Sequence, residues 1–256
     1  MKRLQYIYAR LLLVALLSYT VSHSSLAQQN LFNIPAGDLT PKNKFFFQHQ
    51  SNFYGSAGVE SKNHFVYGLG GGFEIGANVQ NLKMEFRQNS PFFTTSSDTD
   101  KAAPIRPLFQ LTAQKFFFLN DKFKTSIGTQ LGTGLNRFGQ NMRGTHFTYN
   151  TWVYEPRHHV KFVVGPYVTD RGTVGQGNTV GVLVGFEYPV HKKLLIMGDF
   201  ISGNNATSVS VLGVNFLATK RIQLCLGGLI PNPNSGNKPG VVFELNILGF
   251  DDGPSH

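Results

Sequence analysis

The sequence predicts an all-β protein: an antiparallel, up-and-down transmembrane β-barrel of about 12 strands behind an N-terminal signal peptide. Three observations lead there. The 256-residue chain has only 14% charged residues, beside 28 Gly and 23 Phe, unlike an ordinary cytosolic enzyme. Apolar and polar residues alternate in twos along most of its length. The links between the alternating segments are short and long by turns. Other classes are excluded: 41% hydrophobic and 13% aromatic residues suffice to drive folding, and a single Cys forbids a disulfide framework or a Cys-rich zinc module. Beyond the first 27 residues no run of about 20 apolar residues occurs, which rules out membrane helices but not a barrel, whose hydrophobicity is hidden by alternation.

The first element is an export signal. Lys2, Arg3 and Arg10 form a basic start, Leu11 to Leu17 an apolar middle too short to span a bilayer, and Ser25-Leu26-Ala27 a small-residue cleavage site. Cleavage leaves Gln28 first and lowers the formal net charge from +9 to +6. No Cys lies near the cut, so no lipid-modified N-terminus is expected. The organisation read from the sequence is a signal peptide over 1–27, a periplasmic lead over 28–42 with Pro35 and Pro41, a barrel over 43–250 and a tail over 251–256.

Twelve strands are expected at about 44–54, 61–69, 73–83, 105–117, 123–136, 145–154, 159–169, 179–188, 194–202, 207–217, 222–230 and 241–249, each near the length a tilted strand needs to cross a bilayer. Tight turns are expected at Gly70-Gly71-Gly72, Asn120-Asp121-Lys122, Glu155-Pro156-Arg157, His191-Lys192-Lys193 and Thr219-Lys220-Arg221. Longer links fall at 55–60, 84–104, 137–144, 170–178, 203–206 and 231–240. Short turns on one rim and long loops on the other are the habit of outer-membrane barrels, and termini on the short-turn side require an even strand count.

The faces follow from parity. Phe73, Ile75, Ala77 and Val79 oppose Glu74, Gly76, Asn78 and Gln80; Ile127, Leu131 and Leu135 oppose Lys124, Ser126, Gln130 and Asn136; Phe243, Leu245 and Ile247 oppose Glu244 and Asn246. A face with almost no charge belongs to hydrocarbon, where a charge at the midplane costs on the order of 2 to 4 kcal/mol. The opposite face lines a lumen, with Gln48, Gln50, Asn52, Glu74, Gln110, Gln114, Lys124, Gln130, Lys161, Glu187, Gln223 and Glu244 as its candidates. Lys44-Phe45-Phe46-Phe47 and Lys115-Phe116-Phe117-Phe118 fall at the periplasmic rim, where an aromatic girdle sits. Some residues break the pattern: Pro107, Pro166 and Pro189 call for rims or bulges, Val209 and Val211 run out of phase with Leu212, Val214 and Phe216 and imply a bulge, and Phe250 shares the parity of Glu244 and calls for a bulge or a strand end.

The run Asn33-Ile34-Pro35-Ala36-Gly37-Asp38-Leu39-Thr40-Pro41-Lys42 precedes a Phe-rich first strand, and Tyr67-Gly68-Leu69-Gly70 precedes Phe73-Glu74-Ile75-Gly76. With Gly198-Asp199-Phe200-Ile201-Ser202-Gly203 and Pro231-Asn232-Pro233, the chain resembles poorly characterised outer-membrane β-barrel proteins of Gram-negative bacteria. That resemblance implies the fold, an outer-membrane location and a porin-like transport role.

Catalytic and cofactor motifs are scarce. Gly68-Leu69-Gly70-Gly71-Gly72-Phe73 lacks the last Gly of a dinucleotide fingerprint and no helix follows. His158 and His159 are adjacent, so on a strand they face opposite ways and form no metal site. A membrane-embedded esterase needs Ser, His and a polar partner together; His146, Thr148 and Asn150 share a face, but Thr is a poor nucleophile. Cys225 points inward as packing. No catalytic residue, metal or cofactor is therefore assigned, and without a helix, finger or basic run no nucleic-acid partner either. The expected partners are outer-membrane lipid, lipopolysaccharide phosphates at outer-loop cations such as Arg171 and Lys238, the barrel-assembly machinery and small solutes. The expected function is passive passage of small solutes, with a non-conducting structural or surface-binding barrel as the rival and a membrane-embedded hydrolase behind both. The link over 84–104 serves as an inward constriction or a surface loop.

Overall fold

The computed structural model describes residues 30–55, 58–87, 90–96, 103–135 and 144–251. The expected signal peptide and parts of the link over 84–104 lie outside them. The strands are β1 (Phe45–Phe53), β2 (Val59–Gly70), β3 (Phe73–Arg87), β4 (Ser90–Thr94), β5 (Leu108–Phe118), β6 (Phe123–Gly134), β7 (Thr145–Arg157), β8 (Val160–Thr169), β9 (Val180–His191), β10 (Leu194–Ile201), β11 (Val209–Leu217), β12 (Ile222–Pro231) and β13 (Gly240–Leu248), with one helical turn, α1 (Arg171–Val174). Twelve of them close into an antiparallel ring, β1 pairing with both β2 and β13. The thirteenth, β4, stands outside the ring as a hairpin on the outer extension of β3, so the described part of the long link is largely strand. Closure leaves none of the twelve described ring strands with a free edge, which lipid would not tolerate.

Residue chemistry explains the turns. Asn120 Oδ1 accepts from the amides of Lys122 and Phe123, and Thr219 Oγ1 from those of Arg221 and Ile222. The turn expected at Glu155-Pro156-Arg157 comes later: β7 continues through an irregular pairing to Arg157, and His158-His159 reverse the chain with His159 in the left-handed region. Their rings therefore lie side by side, centroids 3.8 Å apart and tilted by 46°, instead of facing opposite ways.

Apolar side chains coat the outside, with Leu131 55% and Val164 45% exposed, while polar ones are buried within. At the short-turn rim, exposed Phe45, Phe117, Phe118, Phe123, Tyr154 and Tyr188 form the aromatic girdle, with Phe123 and Tyr154 stacked at 4.6 Å. Pro107 precedes β5, and Pro189 sits where the β9–β10 register shifts. Pro166 is neither at a rim nor at a bulge. It lies within β8, paired with Val182 of β9, and the β7–β8 pairing lapses between Tyr149↔Tyr167 and Trp152↔Val164, where proline has no N–H to give.

No bulge is needed in β11 either. Its pairing with β12 runs unbroken, and Val211 is buried while Leu212 is exposed. The interior is itself apolar there: Val153, Val163, Leu183, Met197, Val211, Cys225, Leu229 and Val242, all from β7 to β13, belong to one buried cluster. Phe250 follows the end of β13 and packs inward with Phe46, Val66 and Leu248.

Replacing Val164 by Arg on the lipid face is expected to destabilise the barrel by about 2 to 4 kcal/mol, measured by denaturant unfolding from lipid vesicles. A wall facing water would show almost no change.

Candidate functional site: a plugged lumen

What covers the apolar inner wall is the segment read from the sequence as a periplasmic lead. Residues 30–42 run inside the ring. Leu31 N bonds Ile34 O at 2.9 Å and Asn30 bridges Pro35, so the chain forms a tight hairpin whose Leu31, Phe32, Ile34 and Ala36 are fully buried. The wall accommodates them with glycine. A Cβ on Gly185 would lie 2.3 Å from Leu31 Cδ1, and one on Gly227 2.8 Å from Phe32 Cζ.

Polar groups fix the hairpin at three heights. At its tip, Asn33 donates through its backbone N–H to the Asp199 carboxylate, while Lys62 Nζ reaches Asn33 Oδ1 at 2.9 Å and Phe32 O at 3.3 Å. Asn30 Nδ2 donates to Gln48 Oε1 at 2.8 Å. Nearer the short-turn rim, Thr40 N donates to Glu74 Oε2 at 2.9 Å. Asp38 is clamped there between Lys161, in direct contact, and Lys124, 3.4 Å away. Lys124 also meets Glu155 at 2.8 Å, and Lys161 meets Glu187 at 3.6 Å. Burial pushes the Asp38 carboxyl up to about 6, while the Lys161 and Lys124 ammonium groups pull it back down.

The hairpin leaves a cavity of about 500 Å³ beside it, along β1, β2, β3, β5, β6 and the outer links, with Phe147 and Tyr149 of β7 and Ile201, Val209 and Leu229 of β10 to β12 adding apolar lining. Asn30, Phe32, Asn33 and Pro35 contribute its plug wall, and Lys83, Glu85, Phe86, Pro104 and Arg106 lie toward the outer end. Its charges are of both signs: Glu60, Glu74 and Glu85 against Lys62, Lys83, Arg106 and Lys238. Amide networks stiffen it, Gln130 Oε1 accepting from Asn78 Nδ2 at 3.2 Å and Gln80 Nε2 at 3.0 Å.

The lumen candidates divide between these two surroundings. Gln48, Glu74, Gln114 and Gln130 line the cavity, with Gln114 accepting from the Tyr149 hydroxyl. Gln110, buried in β5, accepts from Gln80 at 2.8 Å. Lys124, Lys161, Glu187 and Gln50 serve the plug, Gln50 reaching Asn33 at 3.3 Å. Glu244 accepts from Gln48 at 3.1 Å, and Gln223 is buried opposite Asn246. Parity missed Asp38, Asn33, Lys62 and His64; the buried-side excess of Val on β7 to β13 was the available signal that something apolar sits inside. His146, Thr148 and Asn150 engage separate partners: Asp170 at 3.3 Å, Thr129 at 2.9 Å, and Thr125 at 3.1 Å. Among the described residues no group of three or more His, Cys, Asp or Glu converges on a metal position.

No family model matches the sequence, and no curated protein matches it. Solved structures do match in fold. The KdgM porin in complex with disordered oligogalacturonate superimposes with a TM-score of 0.53 at 9% identity, over 81% of this chain and 98% of that one. The toluene transporter TbuX of Ralstonia pickettii gives 0.47 at 9% identity over 90% and 97%, and outer membrane phospholipase A from Escherichia coli gives 0.43 at 11% over 83% and 94%. The fold is that of an outer-membrane β-barrel.

Cys225, the sole cysteine, lies in the cluster under the hairpin and reports its seating. Maleimide labelling of the folded wild type is expected to be slow, and Asp38→Ala, which removes the nearer of the two carboxylates paired with Lys161 and frees the hairpin from it, is expected to speed it about 10-fold or more.

Proposed function

We propose that this barrel passes small polar solutes and that the hairpin over residues 30–42 gates it. The single observation behind this reading is the 500 Å³ cavity, lined by polar and apolar side chains alike, that runs beside the hairpin from the outer links to Glu74, whose carboxylate accepts from Thr40 N. Charges of both signs line it, which favours neutral or zwitterionic solutes over strong anions or cations. The hairpin obstructs the lumen without being part of the wall, so its release widens the path while the ring stays closed. Glu74 and the cavity glutamines set selectivity; Lys124, Lys161 and Glu187 hold the gate. Outer-membrane lipid surrounds the coat, lipopolysaccharide phosphates pair with cations such as Arg171 and Lys238, and the barrel-assembly machinery inserts the protein.

Single-channel recording in a planar bilayer tests this. The wild type is expected to conduct in small or infrequent steps, and a variant lacking residues 30–40 in larger, sustained ones. Silence from both proteins would leave a non-conducting barrel.

A further inference from the structure

The outward face of β1 and β2 breaks the apolar coat. His49 and Ser51 share the parity of exposed Phe45 and Phe53, while Ser61 and Asn63 share that of exposed Phe65 and Tyr67. The antiparallel register sets His49 opposite Asn63 and Ser51 opposite Ser61. Side-chain bonds join them: His49 Nδ1 lies 2.9 Å from Asn63 Oδ1, His49 Nε2 3.0 Å from Ser51 Oγ, and Ser51 Oγ 3.4 Å from Ser61 Oγ. Their neighbours in register are Leu245 and Phe243 on one side and Val79 on the other. Although its parity is outward, Ser51 is only 9% exposed among these side chains; polar groups on a lipid face are costly and are kept where they do something.

We propose that Ser51, His49 and Asn63 are a lipid-facing serine hydrolase site that cleaves fatty-acyl esters of membrane lipids. The arrangement meets each requirement of nucleophilic catalysis. The Asn63 carbonyl can only accept, so it fixes the imidazole proton on Nδ1 and leaves the Nε2 lone pair aimed at the Ser51 hydroxyl. Ser51 Oγ attacks the ester carbonyl as its proton passes to His49 Nε2. The bond to the lipid alcohol breaks, and the leaving oxygen takes that proton. Water, deprotonated by His49, then attacks the acyl-Ser51 ester; the fatty acid departs and the proton returns to Ser51 Oγ. Ser51 and His49 are the catalytic residues, Asn63 a positioning residue, and Ser61 brings a second hydroxyl to the same spot.

Depth identifies the substrate. Ser51 lies two residues from the outer end of β1, and a strand rises about 3.3 Å per residue, so its hydroxyl is near the hydrocarbon boundary, where acyl-ester groups reside. The proposal goes beyond solute passage: this site is on the opposite face of the wall from the lumen.

The test uses the folded barrel in mixed micelles with calcium and magnesium, offered either diacyl phosphatidylethanolamine or lipid A, with fatty-acid release and fluorophosphonate labelling as readouts. Wild type is expected to hydrolyse at least one lipid and take a single label at Ser51; which lipid is cleaved distinguishes a phospholipid from a lipopolysaccharide ester. Ser51→Ala and His49→Gln are expected to lose about 1,000-fold or more in rate, and Ser51→Ala the label as well. Asn63→Ala should lower kcat by about 10- to 100-fold with little change in KM, and Asn63→Asp should restore most of it while moving the acidic limb of the pH profile upward. Cys225 shielding and channel behaviour should be unchanged in Ser51→Ala, separating this outcome from that of the gate. Hydrolysis or labelling that survives Ser51→Ala overturns the assignment, as does a folded wild type that cleaves neither lipid and takes no label.

Discussion

Hydrocarbon supplies no hydrogen-bond partner, and the seam between β1 and β13 answers that constraint for the whole molecule. Eight registered residue pairs, from Phe46↔Leu248 to Phe53↔Val241, turn a twelve-stranded sheet into a ring. Phe46, Val66, Leu248 and Phe250 pack behind the lower end of the seam, so that closure is also a packing event. Once the ring is shut, parity assigns every side chain to lipid or to the interior. A one-residue slip would turn Gln48 and Glu244 into the membrane, which is why the register is sharply specified.

The interior then presents an inverse problem. A twelve-stranded ring is too wide to be filled by its own inward residues, and those of β7 to β13 include an apolar patch from Val153 to Val242. The hairpin solves this by bringing Leu31, Phe32 and Ile34 to the wall that lacks volume, against glycines that leave them room. Its Asp38 gives Lys124 and Lys161 a counter-charge that the wall supplies only in part through Glu155 and Glu187. The part of the lumen beside the hairpin stays unfilled and becomes the cavity. Gate and passage are thus two consequences of one asymmetric inner surface.

Two-residue periodicity made the ring legible, since a strand between lipid and lumen repeats its chemistry every second residue: all twelve ring strands appear near their expected places. Irregularities were misread where the cause was not local. Val209 and Val211 look like a phase error only if the interior is assumed wet, and the hairpin that makes it dry is remote in sequence. Asn33-Ile34-Pro35-Ala36 carries no periodicity, so nothing in it says inside or outside. The outward His49-Gln50-Ser51 spacing was legible by the same parity that sent Gln48 and Gln50 inward; Asn63 joins it only through strand pairing, which no local pattern states. His146, weighed with Thr148 and Asn150 because they share a face and set aside because Thr is a poor nucleophile, shows that a common face is weaker than a cross-strand bond.

The hairpin's Asn30 folds back onto Pro35, and its other arm leaves by the short-turn rim at Lys42, bridged to Gly68. The hairpin is thus leashed to the wall by the few residues that lead into β1, so a displaced hairpin stays beside the mouth it left while the strand-to-strand ladders of the ring remain intact.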